Sequence, residues 1–307
     1  MTRQRAEISS RMKQAQRHVE QTPGPLNQYL QLWLKSVDLS DRTLAQYTGY
    51  IRNLAKMYPD VEPRNFTILQ LTTFVAEGYG DYSSATQRIA NQALKNFFGW
   101  LTNLDVMEES PAKRLRSPKR KPSEPRYLTP DEITAMMRAA LNKGDMASTI
   151  IVALGAYAGL RRRSISRLTW ADVDLTEGTL TARLDKGGKS RQLPIAPPLK
   201  DLLQTWKEIT KDNESGHVVV KKVGGHWKPM SPHRIWARVK RYGRLALDKD
   251  IATHDLRRTF ATTLSSNRVP LHTISRLLGH SSVTTTVNCY AFTTDDEKRA
   301  AIDTLRF

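Results

Sequence analysis

Residues 253–290 read THDLRRTFATTLSSNRVPLHTISRLLGHSSVTTTVNCY and decide the fold of the second half of this chain. His254 and Arg257 stand three positions apart in a segment whose apolar residues follow a helical spacing. Side chains three apart lie on one face of an α-helix, so a titratable base and a permanent cation are predicted to point the same way. Thr253 is the expected N-cap of this helix.

A second helix is predicted to deliver another histidine to the same region. Its apolar residues run from Leu271 to Leu278, and Gly279 suits the left-handed position at a helix end. His280 follows that end directly. Tyr290 lies ten residues further on, close enough along the chain to return to the same face.

The chain is long and strongly basic. Its 307 residues are enough for two hydrophobic cores. The 48 Lys and Arg outnumber the 30 Asp and Glu, which gives a net charge of +18. Residues 1–110 carry 12 basic and 11 acidic side chains, whereas residues 127–307 carry 29 and 18. The excess predicts a polyanionic partner that is bound mainly by the linker and the second half.

Cysteine use and hydropathy exclude several protein classes. A single cysteine, Cys289, cannot form an intramolecular disulfide or a cysteine-based zinc site. The first 20 residues are polar and lack the apolar segment of a signal peptide. The most apolar run, 149–160, is shorter than the ~20 residues that a membrane span requires. We therefore expect a soluble intracellular protein without a membrane partner.

The first half is predicted to be a small all-α domain. Residues 1–24 are polar and end in a Pro-Gly-Pro turn, which leaves open a short helix or a loose tail. Residues 25–110 follow, with four amphipathic stripes that begin near Leu26, Leu44, Ile68 and Ile89. Four such helices joined by short loops pack as a bundle.

Two of these helices carry polar side chains near their starts that could enter a DNA groove. The candidates are Arg42, Thr43, Gln46, Thr86, Gln87, Arg88, Asn91 and Lys95. Ordinary solvated helix faces look similar in a sequence, so the pattern alone leaves both interpretations open.

Residues 111–126, PAKRLRSPKRKPSEPR, combine four prolines with seven cations. Such a composition resists packing and predicts an extended linker between two folded halves. Lys119, Arg120 and Lys121 are expected to follow a phosphate backbone. A nuclear-localisation patch is the competing interpretation of such a basic run.

The second half, residues 127–307, begins with a helix signal in Thr129-Pro130-Asp131-Glu132. The run 149–158 is apolar on all sides and predicts a buried helix, which Gly159 ends. Arg161 therefore follows a rigid element. Three consecutive arginines splay around the chain, so only one of residues 161–163 is expected in a site.

Two short extended runs, 179–184 and 191–195, flank a glycine-containing turn and predict a β-hairpin. Its tip carries Lys186 and Lys189, and Arg191 stands where the chain returns. Lys189 and Arg191 are expected to contact DNA. A mobile lysine can reach a phosphate or a leaving group, although lysines at hairpin tips commonly serve solubility alone.

A later helix is predicted over residues 231–247, with Ser231-Pro232 at its start. Its arginines recur at spacings of four and three and form a cationic stripe suited to phosphates. The members of the stripe are Arg234, Arg238 and Arg241.

Five motifs in this order resemble the tyrosine recombinases, that is, the phage-type integrases and their Xer-like relatives. They are AGLR at 158–161 with LTWADVD at 168–174, the Lys186 hairpin, HDLRRTFAT at 254–262, LLGHS at 277–281, and Tyr290. The resemblance implies a mainly α protein with a small antiparallel β-sheet and two domains. The first is a helical, SAM-like core-binding domain and the second is the catalytic domain.

The resemblance also implies an enzyme that cleaves and rejoins double-stranded DNA at specific sites through a 3′-phosphotyrosyl link. Carried over by position, the roles are phosphate binding for Arg161 and Arg257, proton transfer for Lys186 and His254, assistance at the phosphate for His280, and nucleophilic attack for Tyr290. Arginines keep their charge and stabilise charge that develops on phosphoryl oxygens. The link conserves bond energy, so we expect no metal or other cofactor.

The biological role implied is integration or excision of a phage or mobile element by four protomers on two DNA sites, in the bacterial cytoplasm at the nucleoid. An accessory DNA-bending protein is among the expected partners. A Xer-like resolvase of replicon dimers and a catalytically impaired DNA-binding relative are the alternatives. The latter stays open because Ser164 stands where the family usually has an acid, which leaves the site more cationic or loosens Arg161.

Overall fold

The computed structural model describes residues 2–119, 126–183 and 190–280. The chain divides into two compact units, Met1–Pro122 and Ser123–Phe307. Each unit has a hydrophobic core of its own.

The first unit is an all-α bundle, as the sequence predicts. Its helices are α1 (Thr2–Glu20), α2 (Leu26–Ser36), α3 (Asp41–Met57), α4 (Ile68–Tyr79) and α5 (Ser84–Asn103). Ser40, Thr67 and Ser83 cap α3, α4 and α5 by accepting a hydrogen bond from a backbone N–H of the first turn. Trp33 and Phe97 are completely buried and meet edge to face, with ring centroids 5.8 Å apart. The apolar stripes of α2 to α5 therefore face one core.

Helix α1 belongs to this bundle and is not a loose tail. Ala15 and Val19 are buried in the core of the unit. His18 hydrogen-bonds Thr48 of α3 across 3.2 Å. The sequence did not decide between a helix and a loose tail, because only a few small apolar residues mark the buried side of the helix.

The start of the linker also packs on the bundle. Residues Pro111–Arg114 form a 3₁₀ turn, and Ala112 and Leu115 are buried against the helices. This corrects the expectation that residues 111–126 are extended throughout, because two apolar side chains anchor the first part. Residues 120–125, which include Arg120 and Lys121, lie outside the described parts.

The second unit packs its helices around the buried helix α7. Its helices are α6 (Pro130–Asn142), α7 (Met146–Ala158), α8 (Arg162–Arg167), α9 (Pro197–Ile209), α10 (Pro232–Leu247), α11 (Thr253–Ser266) and α12 (Leu271–Leu278). Thr129 and Glu132 form a reciprocal capping box at the start of α6. Gly159 ends α7 in the left-handed conformation, with φ 58°. Both features agree with the sequence prediction.

Two small antiparallel sheets complete the second unit. The first has the order β1 (Val173–Asp174), β2 (Thr179–Arg183) and β3 (Ser190–Pro194). In the predicted hairpin, Thr179 pairs with Pro194 and Arg183 with Ser190. Its tip, residues 184–189, lies outside the described ranges. The second sheet pairs β4 (Val220–Val223) with β5 (His226–Pro229) and was not predicted.

Helix α11 starts differently from the prediction. Thr253 is its first residue and not its N-cap, which is Ala252. Asp255 accepts a hydrogen bond from the Ala252 N–H at 2.9 Å, so a carboxylate satisfies the N-terminus where a hydroxyl was expected. Helix α12 ends as predicted, with Gly279 in the left-handed conformation at φ 64°.

Candidate active site

Three segments of the second unit meet at the candidate site. Arg161 follows the C-terminal end of α7, Arg257 lies on α11, and His280 follows the C-terminal end of α12. Helices α7 and α11 approach closely because Gly155 has no side chain. A Cβ at that position would lie 2.8 Å from Cβ of Leu256, closer than real Cβ contacts allow.

Arg257 ties these segments together. Its side chain is completely buried. The Nη1 atom donates to the carbonyl of Gly159 at 2.5 Å, and Nη2 donates to the carbonyl of Leu278 at 2.6 Å. Both carbonyls belong to helix C-termini, where partial negative charge favours a cation. Arg257 therefore fixes the ends of α7 and α12 relative to each other.

His280 shares the same guanidinium. Nη2 of Arg257 lies 3.1 Å from Nε2 of His280. A guanidinium has only donors, so Nε2 accepts and the imidazole carries its proton on Nδ1. Burial, reinforced by the charges of Arg257 and Arg161, lowers the pKa of His280 to about 4. The ring is neutral at pH 7.

His254 stands one helical turn before Arg257 and reaches the surface. Burial of the ring lowers the pKa of His254, and the cations Arg258 and Arg257 lower it further, while Asp255 opposes them. A neutral imidazole is the form that a general base requires.

Arg161 and Arg191 add two positive charges to the site. Arg161 is the N-cap of α8, and no hydrogen bond or ion pair holds its side chain among the described residues. Arg191 lies on β3; burial, and then Arg257 and Arg161, lower its pKa to about 9. Three guanidinium groups therefore stand beside two histidines of lowered pKa. Such an arrangement suits anionic oxygens, which arginines bind with charge-assisted hydrogen bonds.

Ser164 turns towards the base of the predicted lysine hairpin. Its Oγ donates to the carbonyl of Arg183 at 3.3 Å. The Nε atom of Arg183 donates to the buried carboxylate of Asp172 at 2.9 Å. Arg183 is the last described residue before the tip that carries Lys186, so these two contacts fix the point from which the tip departs.

The other predicted contacts with DNA differ in exposure. Exposed side chains are Arg42, Gln46, Lys119, Arg234 and Arg241, and partly exposed ones are Thr43, Thr86, Gln87, Arg88 and Lys95. The residues outside the described ranges are Arg120, Lys121, Lys186, Lys189 and Tyr290.

Two predicted DNA contacts are engaged inside the protein. Asn91 is 2% exposed, and its Nδ2 donates to the carbonyl of Arg116 at 3.2 Å. It holds the start of the linker and does not face a groove. Arg238 forms an ion pair with Asp145 at the start of α7. The stripe expected on α10 is therefore interrupted at its centre.

Asp145, Asp172 and Arg183 were not among the predicted site residues. A local signal existed for Asp172, which stands three positions after Thr169, the spacing of a capping pair. Asp145 had one as well, since it caps α7 by accepting a hydrogen bond from the N–H of Ser148, three positions later. No local signal points to their ion-pair partners, because Arg183 is 11 positions from Asp172 and Arg238 is 93 positions from Asp145.

Within the described ranges, no helix is long and apolar enough to cross a membrane. In the same part of the chain, no group of three His, Cys, Asp or Glu side chains is placed to hold a metal ion.

Comparison with known sequences identifies relatives over most of the chain. A family described as the phage integrase family matches residues 126–297. Tyrosine recombinase XerA of Pyrococcus horikoshii is 32% identical over 265 residues, which cover 86% of this chain and 87% of the relative. Tyrosine recombinase XerC of Xanthomonas campestris pv. campestris is 30% identical over 223 residues, which cover 71% of this chain and 67% of the relative.

Comparison with solved structures gives the same fold. The Tn1549 transposon integrase in complex with a circular intermediate DNA aligns with a TM-score of 0.74 at 18% identity and covers 92% of this chain and 100% of its own. A lambda integrase dimer bound to a COC′ core site aligns with a TM-score of 0.72 at 19% identity and covers 88% and 78%. At these identities the likeness shows the fold.

Proposed function

This chain belongs to the phage integrase family, and on that premise we propose that it is a site-specific DNA recombinase that cleaves and rejoins strands through a phosphotyrosine link. The observation that carries the proposal is the meeting of Arg161, Arg257, His254 and His280 at the ends of α7 and α12 and the start of α11. Residues from three separate motifs contribute to it.

The cations of the site stabilise charge on the phosphate under attack. Attack on a phosphodiester places negative charge on the phosphoryl oxygens, and preorganised charged donors stabilise that charge strongly. The guanidinium of Arg161 is not engaged by any described residue, so its N–H groups can donate to these oxygens. Arg257 supplies charge from the floor of the site. His280 is neutral and positions the phosphate without adding charge.

Tyr290 is the nucleophile in this proposal. Its phenol oxygen forms a bond to phosphorus, and the bond from phosphorus to the 5′ oxygen breaks. A phenol of pKa ≈ 10 needs a base at neutral pH, and His254 takes its proton. Lys186 returns a proton to the departing 5′ oxygen. A 5′ hydroxyl of another strand reverses the steps, so no cofactor is consumed.

Integration or excision of a phage or other mobile element is the biological role that we propose. The solved neighbours that support it are a transposon integrase and lambda integrase. Assembly of four protomers on two DNA sites is supported by a lambda integrase tetramer bound to a Holliday junction. We place the reaction in the cytoplasm of a bacterial host, at the nucleoid, with a DNA-bending protein as a further partner.

A Xer-like resolvase of replicon dimers is the second candidate. The observation that favours it is the identity of 30–32% to proteins named XerC and XerA. Recombination assays on two identical sites and on two different attachment sites distinguish the roles, since a resolvase requires only the identical pair.

A suicide duplex of the candidate attachment site, nicked beside the cleavage position, tests the reaction. Wild type should give a covalent protein–DNA band on a denaturing gel. Tyr290→Phe should give none and should still shift the duplex on a native gel, because it removes one oxygen and no charge. Tyr127→Phe is the matched control at an exposed tyrosine and should react as wild type does. A covalent band from Tyr290→Phe would show that another residue is the nucleophile, and binding by wild type without any adduct would favour a DNA-binding relative.

A further inference from the structure

Arg191, on the second strand of the lysine hairpin, points towards the candidate active site. Arg191 lies on β3 opposite Ala182 of β2. Alternate residues of a strand face opposite sides, and Leu193 on the same side as Arg191 is buried. The remaining residues of the strand are exposed. Arg191 therefore turns towards the inside of the unit and away from solvent.

Two buried nitrogen atoms of Arg191 have no hydrogen-bond partner in the part of the chain that the structure describes. Its Nε and Nη1 atoms are shielded from water and have no hydrogen-bond acceptor among the described residues. Its charged neighbours among the described residues are cations, since burial and then Arg257 and Arg161 lower its pKa. Arg191 in turn acts on His280. The four side chains are therefore near enough for their charges to act on one another.

Two described carboxylates of the second unit, Asp172 and Asp255, are engaged elsewhere. Asp172 is held by Arg183, and Asp255 caps the start of α11. Ser164 stands where the family usually has an acid. Among the described residues, no carboxylate pairs with Arg191.

A buried guanidinium without an acceptor is costly, and an anion bound between the arginines would remove that cost. We propose that Arg191 is a third phosphate-binding guanidinium of this site, and that its unsatisfied N–H groups donate to a non-bridging oxygen of the phosphodiester that Tyr290 attacks. The proposal rests on the recombinase function proposed above. It moves Arg191 from a general DNA contact, as the sequence predicted, to the reacting group.

Inorganic phosphate tests this site without any reaction. Thermal unfolding of the full chain is followed at rising phosphate concentration, with ionic strength held constant by chloride. Phosphate should raise the Tm of wild type. Arg191→Met should have a higher Tm than wild type without phosphate, because it removes an unpaired buried charge, and should lose most of the phosphate-dependent rise. Arg138→Met, which removes an exposed arginine of α6, should behave as wild type.

Two outcomes of this titration would overturn the proposal. One is a phosphate response that is equal in wild type and Arg191→Met, or absent from both. The other is a lower Tm for Arg191→Met without phosphate, which would make Arg191 a structural residue.

A modified suicide duplex then places Arg191 at the reacting phosphate. Arg191→Met should slow formation of the covalent adduct by about 10²-fold on the normal phosphodiester, as expected for the loss of a donor to a developing oxyanion. With a methylphosphonate at the cleaved position, where a methyl group replaces one charged oxygen, the loss should shrink to less than about tenfold. Arg191→Lys keeps the charge but not the planar donors, so its rate of adduct formation should lie between those of wild type and Arg191→Met.

Equal losses on both duplexes would contradict the proposal. Absence of any wild-type adduct would refute the recombinase function, while the phosphate titration would still decide on Arg191.

Discussion

Arg257 and Arg161 are both assigned to the phosphate, yet the protein holds them in different ways. Arg257 is completely buried and donates to carbonyls at two helix ends. Arg161 has no partner among the described residues. The first guanidinium stabilises the folded chain, whereas no described residue engages the second, which we propose binds the phosphate. Substitution of Arg257 should therefore reduce both stability and activity, whereas substitution of Arg161 should reduce activity alone.

Arg257→Met should lower the free energy of unfolding by roughly 3 kcal/mol, since hydrogen bonds to a charged group contribute ~1.5–3 kcal/mol each and two buried carbonyls lose their donor. Arg161→Met should leave it unchanged or higher. Both should slow adduct formation by about 10²-fold or more. Urea unfolding measures the first quantity and the suicide duplex the second. Arg162→Met is the neighbouring control, and a loss of activity there as large as at Arg161 would refute the choice among the three arginines.

The protonation of His280 follows from the same contact. Its pKa is about 4 in the folded chain and lies near 6.5 in an unfolded one. The unfolded chain therefore binds a proton first as pH falls, and the folded state loses stability between about pH 6.5 and 4. His280→Gln should show a shallower loss than wild type over that window in urea unfolding. In ¹⁵N NMR at pH 6, we expect a neutral ring with its proton on Nδ1. An imidazolium at pH 6 would contradict the hydrogen bond from Arg257.

At the scale of the element, the β2–β3 hairpin has a fixed base. Asp172 accepts hydrogen bonds from the backbone and hydroxyl of Thr169 at 3.0 and 2.7 Å as well as from Arg183. Burial raises the pKa of Asp172, but these hydrogen bonds outweigh it and the net shift is downward. The carboxylate stays ionised and holds the end of β2, and Ser164 holds the same residue through its carbonyl. The strand is thus anchored at Arg183, three positions before Lys186 in the sequence.

Arg183→Gln tests whether this anchor positions Lys186. Because the Arg183 side chain is 65% exposed, its loss should change the free energy of unfolding by less than about 1 kcal/mol. Adduct formation should nevertheless slow on a normal duplex, because Lys186, the proposed proton donor to the 5′ oxygen, should be less well placed. With sulfur in place of that oxygen, the leaving thiolate needs no proton and the defect should disappear. Lys186→Ala should show the same rescue, and a defect in Arg183→Gln that persists with sulfur would separate the anchor from proton transfer.

Elements with strong local signals could be predicted, and those that depend on distant partners could not. The capping box of α6, the apolar run of α7 and the glycine end of α12 follow from short-range chemistry. Strands β4 and β5 flank Gly224-Gly225, a local turn signal from which this hairpin could have been predicted. The burial of Asn91 left no trace in its helix, because its partner Arg116 is 25 positions away. In the site, the order of His254, Arg257 and His280 was visible, whereas the engagement of Arg257 by two helix ends required the fold.

At the scale of the whole molecule, positive charge is concentrated beyond residue 110. The linker stretch 111–126 carries seven cations and one acid, and its first part is anchored on the bundle by Ala112 and Leu115. Lys119 follows this anchor and is exposed. An anchored start and a strongly basic sequence together favour the linker over the bundle surface as the segment that follows the phosphates.

Lys119→Gln combined with Lys121→Gln should change how DNA binding depends on salt. Each phosphate neutralised by the protein adds about 0.9 to the slope of log K against log salt, because counterions are released, so losing two contacts should reduce the slope by about 2. Fluorescence anisotropy with a labelled duplex at several salt concentrations measures this slope.

The matched control is Lys143→Gln with Lys211→Gln, which removes the same net charge from exposed positions of the second unit. Both doubles lower the net charge by two, so a difference between their slopes reports local contact and not overall charge. Equal slopes in the two doubles and wild type would mean that the linker cations do not touch DNA, and the basic excess of residues 127–307 would then account for the electrostatic part of binding.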